Sequence, residues 1–191
     1  MDRVLSEAGV KSRDPVADLG CGTGILTRML AARGLDVPGI ALVTVAQAFH
    51  WCDVDAALRE LRRVLNPQGH VAAIWNIRGE NAFMDAYDAL LRRFSSEYKV
   101  LESWETTLAE LKHHARVVNA RELRAEHAQR FDLEGLQGRA WSSSYVFRGV
   151  EDQERFDQAL ASLFDGHAQD GAIEFPYRCV GLVFKLRTSE P

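Results

Sequence analysis

Apolar positions along the 191-residue chain recur with two periods, near 3.6 and near 2, and the predicted element changes wherever the period does. Met1–Val10 reads as a short helix stopped by Gly9, and Lys11–Pro15 as a polar connection into a first strand, Val16–Leu19. Ile25, Leu26, Met29 and Leu30 share one helical face, so Ile25–Arg33 is a helix with Gly34 as its stop. Leu35–Ala46 is almost uninterrupted apolar sequence rich in Val, the pattern of a strand buried on both faces of a parallel sheet. Pro38-Gly39 breaks its first half, which leaves Ile40 onward as the firm part.

Farther on, Val54–Leu65 gathers Ala57, Leu58, Leu61, Val64 and Leu65 on one face, sets its arginines largely opposite, and has Asp53 placed to cap it. Asn66-Pro67-Gln68-Gly69 is turn chemistry, and His70–Trp75 is the next buried strand. Helical spacing returns in Asn81–Phe94 and Trp104–Ala115, which read as cover helices. Val117–Phe131 alternates less cleanly, with a strand expected across Ala125–Phe131, followed by a helix at Leu133–Trp141. Glu151–His167 is helical again, and after Gly171 the alternation of Ile173, Phe175 and Tyr177, then Val180, Leu182, Phe184 and Leu186, predicts a last strand. Strands alternating with helices indicate an α/β fold.

Hydrophobic residues make up 47% of the chain, enough at this length for one good core, so residues 1–191 are expected to form a single domain. A formal charge of −4 gives no basic footprint for nucleic acid or an anionic membrane surface, which leaves a small molecule as the expected partner. Cys21, Cys52 and Cys179 lie far apart without ligand spacing, and no signal-like segment opens the chain, so reduced thiols and a cytoplasmic protein are expected. No apolar run approaches the roughly 20 residues of a membrane helix. His113-His114 and the lone His70, His127 and His167 lack metal-ligand spacing, and no metal is expected.

Candidate chemistry concentrates where the first strand runs into glycines at 20, 22 and 24. A strand ending in an acid and then G-x-G-x-G lets a ligand lie against bare backbone at a helix N-terminus, although the same turn also suits a connection that binds nothing. The dinucleotide fingerprint, G-x-G-x-x-G with an acid about 20 residues on, is not matched, which disfavours an oxidoreductase. D-L-G-C-G-T-G instead resembles the first motif of the class I S-adenosylmethionine-dependent methyltransferases. A-L-V-T-V-A-Q-A-F-H-W-C-D and A-L-R-E-L-R-R-V-L-N-P-Q-G-H-V-A-A-I-W-N resemble that family's fourth strand, following helix and fifth strand. The likeness is nearest to the branch of trans-aconitate methyltransferase-like proteins, whose C-terminal half F-D-L-E-G-L-Q-G-R-A-W-S-S-S-Y-V also resembles.

The resemblance implies an abbreviated Rossmann-like sheet, mostly parallel with an antiparallel C-terminal strand. Residues 1–80 would be the cofactor-binding half, and 81–191 the cover helices and C-terminal strands. It implies S-adenosyl-L-methionine as cofactor, with Asp18, Gly20, Cys21, Gly22, Thr23 and Gly24 against its methionine part and Ala46 and Gln47 near the sulfonium. His50 and Trp51 would border a small-molecule acceptor. The chain departs from the family between the first helix and the fourth strand, where a second strand ending in an acid, a helix and a third strand are missing. No Asp or Glu occurs from Val37 to Trp51 to bond the ribose hydroxyls, so weakened cofactor binding is expected. A sheet short of two strands would also bare an edge, which predicts self-association into a homo-oligomer.

Methyl transfer needs alignment, exclusion of water and at times removal of a proton. His50 is the candidate base or carboxylate partner, against the alternative of a loop residue that only caps or packs. Trp51 would wall the acceptor or lie over the sulfonium, with core packing as the competing reading. Tyr145 is either a liner of the acceptor pocket or a buried tyrosine satisfied by backbone. Cys21 contributes backbone, and Cys52 has no histidine partner for nucleophilic chemistry. Two functions from different classes follow: an active methyltransferase, and a catalytically impaired methyltransferase-like binding or assembly module.

Overall fold

A computed structural model describes residues 1–12, 14–20, 39–98 and 103–187. In chain order the described elements are α1 (Asp2–Glu7), β1 (Val16–Leu19), β2 (Ile40–Ala46), a 3-10 turn (Phe49–Trp51), α2 (Val54–Val64), β3 (Leu65–Arg78) and α3 (Ala82–Phe94). They continue with α4 (Ser103–His113), β4 (Val117–Phe131), α5 (Leu133–Trp141), α6 (Ser144–Gly149), α7 (Gln153–His167) and β5 (Ile173–Leu186). The predicted helix Ile25–Arg33, its stop at Gly34 and the segment Leu35–Pro38 lie outside the described residues. No helix among the described residues is long and apolar enough to cross a membrane.

The strands form one five-stranded mixed sheet in the order β1-β2-β3-β5-β4, mostly parallel with one antiparallel end, which is the α/β, Rossmann-like arrangement expected of the sequence. β1 pairs with β2 in parallel from Val16↔Leu42 to Leu19↔Val45, and β2 pairs with β3 in parallel up to Ala46↔Ile74. Among the described residues β1 ends the sheet, with no strand beyond it.

The fold groups into two compact units: one of residues 1–76, 102–125 and 179–191, the other of 77–101 and 126–178. In the first, Leu42, Val43, Thr44 and Val45 are consecutive and all buried. Successive strand residues point to opposite faces, so both faces of β2 are covered. On one of them Val4 and Ala8 pack with Leu42, Ala72 and Val183. α2 begins as expected: the Asp53 carboxylate accepts from the Ala56 N–H at 2.7 Å.

Two predicted boundaries are corrected. Asn66–Gly69 is not a turn preceding the strand, because β3 already begins at Leu65. Ile40 pairs with Leu65 but Leu42 with His70, so these four residues bulge from within β3, where Pro67 has no N–H to offer the ladder and Gln68 N–H donates to Asn66 Oδ1 instead. β4 also runs from Val117 rather than only over Ala125–Phe131, and its largely exposed side chains account for the faint alternation. One helix, α6, has no counterpart in the sequence reading.

The second unit is held by an aromatic core. Phe83, Tyr87 and Leu91 of α3 pack with Leu136 of α5, Val146 of α6, Phe156 and Leu160 of α7, and Phe175 of β5. Edge-to-face pairs lock it, Phe94–Phe156 at 5.8 Å and Trp141–Phe156 at 5.5 Å, while Trp141 Nε1–H donates to Asp157 at 2.8 Å. Asn81, Asp132 and Asp152 cap α3, α5 and α7 through their side chains.

Candidate functional site

Because β1, β2 and β3 are parallel, their carboxyl ends lie at one end of the sheet, where open α/β folds bind ligands. Asp18 and Gly20 close β1 there, and Ala46 and Gln47 close β2. The structure thus brings these four predicted residues to one sheet end. Cys21, Gly22, Thr23 and Gly24 lie outside the described residues.

Thr44 is a polar residue in an otherwise apolar strand, fully buried, and it faces Asp18 across the β1–β2 pair. Its hydroxyl lies 3.1 Å from Asp18 Oδ1 and 3.3 Å from the Ala17 carbonyl, both acceptors. The hydroxyl thereby fixes the carboxylate at the mouth of the glycine turn. Sequence reasoning passed over Thr44, although its place in I-A-L-V-T-V-A was the signal: a buried hydroxyl requires a partner.

Gly20 turns the chain at φ +72°, a left-handed conformation that L side chains rarely adopt. A Cβ there would lie 2.7 Å from the Ala48 Cβ, so the turn after β1 closes against the segment after β2. Gln47 also has positive φ, +54°. Its N–H donates to the Ile74 carbonyl at 2.9 Å and its Nε2 to the Asn76 carbonyl at 2.7 Å, and these bonds hold the strained residue in place. A carboxylate oriented at the carboxyl end of β1 suits the ammonium group of the amino-acid portion of the implied cofactor, so the described residues fit that group.

His50 and Trp51 follow on the 3-10 turn, their rings 4.9 Å apart at 45°. The half-buried imidazole has its Nδ1 enclosed without a partner among the described residues, and burial lowers its pKa below the ordinary value. At neutral pH it is an uncharged base. Trp51 is 75% exposed, which overturns core packing for that ring. Cys52 is exposed and its thiol lies 3.7 Å from the Ala48 carbonyl, with no base engaged. Among the described residues no cluster of metal ligands occurs. Tyr145 is not satisfied by backbone: its hydroxyl takes a bond from Arg78, within the second unit.

Residues 40–73, which run from β2 into β3, match the methyltransferase domain family. An uncharacterized methyltransferase of Mycobacterium tuberculosis is 36% identical over 99 residues, covering 34% of this chain and 41% of that protein. An alignment of that length on so small a share of this chain leaves roughly a third of its positions without a residue here. An uncharacterized methyltransferase of Schizosaccharomyces pombe is 38% identical over 69 residues, 36% of this chain and 25% of that protein. These matches therefore span less than half the length of the curated relatives. Among solved structures, a protein of Anaeromyxobacter dehalogenans assigned as a type II methyltransferase aligns over 96% of this chain and 94% of its own, with TM-score 0.54 at 16% identity. One of Anabaena variabilis assigned as a methyltransferase of an antibiotic biosynthesis pathway aligns over 94% of both, with TM-score 0.53 at 14% identity. Residues 40–73 are thus similar in sequence to a methyltransferase domain, and the fold is the Rossmann-like one shared with those two solved structures.

Proposed function

We propose that the protein transfers a methyl group from S-adenosyl-L-methionine to a small-molecule acceptor. The observation that carries this reading is the end of β1: an Asp18 carboxylate oriented by the buried Thr44, beside a left-handed Gly20 with no room for a side chain. The sulfonium of the cofactor supplies an electrophilic methyl group when bound. Asp18 and the backbone at Gly20 would hold the amino-acid end of the cofactor, with Cys21, Gly22, Thr23 and Gly24 continuing the same stretch in sequence, and Ala46 and Gln47 would lie on the sulfonium side. His50, uncharged at neutral pH, accepts the proton of an acceptor hydroxyl, and Trp51 offers its exposed face as an acceptor wall or cation–π partner.

Transfer of an isotope-labelled methyl group from the cofactor to a panel of small hydroxy and carboxylic acids tests this. His50→Ala is expected to lower transfer by about 10²–10⁴-fold while leaving cofactor affinity unchanged, the usual contribution of a positioned base. Equal transfer by His50→Ala and the unaltered chain would remove the proton-accepting role. A folded chain that neither binds the cofactor nor transfers methyl groups would be a non-catalytic module.

A further inference from the structure

Inside the second unit, two half-buried arginines make no ion pair with an acid among the described residues. Arg78 donates to the hydroxyls of Tyr98 and Tyr145, and its guanidinium carbon stands 5.4, 5.7 and 5.5 Å from the ring centres of Tyr87, Tyr98 and Tyr145. Arg139 donates to the Tyr177 hydroxyl at 3.0 Å and to Ser143 Oγ at 2.9 Å, with a longer bond to Ser142 Oγ at 3.5 Å, and stands 5.6 Å over Phe175. Among the described residues neither guanidinium pairs with a carboxylate. Asp88, the acid close enough to act on Arg78, is held by Arg92 at 2.7 Å and by the Tyr98 hydroxyl. An arginine withdrawn from water ordinarily finds a carboxylate, because phenol and serine oxygens leave its charge uncompensated.

Tyr87 points to what completes the cluster. It is 1% exposed, and its hydroxyl has no partner among the described residues. Both guanidinium groups act on that hydroxyl electrostatically, yet burial outweighs them and pushes its pKa well above the ordinary value, so it keeps its proton and remains a donor without an acceptor. Two cations with N–H groups to spare and one buried donor, walled by tyrosine rings, call for a planar anion that accepts several hydrogen bonds.

We infer that this unit holds a carboxylate-binding site, in which Arg78 and Arg139 supply the charge and Tyr87 donates a hydrogen bond to a planar organic acid. The test is a calorimetric titration of the full chain with sodium benzoate, with sodium phosphate and sodium chloride at matched ionic strength as separate arms. Saturable binding of benzoate alone is expected. Arg78→Gln and Arg139→Gln should each weaken it at least tenfold. Tyr87→Phe, which removes only an unpartnered hydroxyl, should weaken it several-fold with the thermal midpoint held or raised, and it carries the test if the arginine variants fail to fold. No benzoate binding to the folded chain overturns the site, as does saturation by phosphate but not benzoate, or benzoate affinity unchanged in Tyr87→Phe. The readout needs no methyl donor, so failure here leaves methyl transfer standing, and the reverse holds as well.

Discussion

A hydroxyl buried between two strands must find an acceptor, and Thr44 reaches both Asp18 and the Ala17 carbonyl. Thr44→Val keeps the shape and removes these bonds, so it should cost about 1 kcal/mol and lower the denaturant midpoint without changing the slope. Gly20→Ala is the harsher change, since a side chain there meets both the left-handed backbone and the Ala48 Cβ at 2.7 Å. A loss of about 1–3 kcal/mol is expected in the same measurement. His50 and His70 add a pH dependence, because burial lowers both pKa values in the folded chain. Below the ordinary value near 6.5 the unfolded chain takes up protons that the folded chain refuses, so stability is full above that pH and declines as pH falls through it. Unfolding free energy measured between pH 7.5 and roughly 5.5 should show this decline, with a shallower slope in His50→Gln.

Elements were legible where local chemistry acts alone. The almost unbroken apolar run of β2, the Asp53 cap and the 3.6-residue stripes of α2, α3 and α7 all decide structure within a few residues. The bulge at Asn66–Gly69 was hidden because its turn chemistry is genuine, and only pairing with Ile40 on β2 keeps those residues within a strand. α6 escaped notice because six residues of S-Y-V-F-R-G hold too little period to register. The candidate site divides in the same way. Glycines and an acid at a strand end are visible in sequence, whereas the pairing of Thr44 with Asp18 and the meeting of Arg78 with three tyrosines join positions far apart in the chain. At this scale the caps are directly testable: Asn81→Ala removes the acceptor of the Met84 N–H, and thermal or chemical unfolding should report a loss of about 1 kcal/mol.

Across the whole molecule, the consequential feature is that β1 ends the sheet among the described residues. An uncovered strand edge pairs readily with another chain, and we propose self-association through β1: sedimentation is expected to show mass rising with concentration, and a clean monomer at high concentration would contradict it. The same shortening bears on the cofactor, because the glycine turn and Asp18 remain while no acid follows between Val37 and Trp51 to bond ribose hydroxyls. Losing such a charge-assisted pair costs about 1.5–3 kcal/mol, or one to two powers of ten in affinity. The most direct measurement is therefore calorimetric titration of the full chain with S-adenosylhomocysteine. The account predicts saturable binding, weaker by that factor than a site with the acid in place, and the absence of heat at millimolar ligand with a folded chain would contradict it.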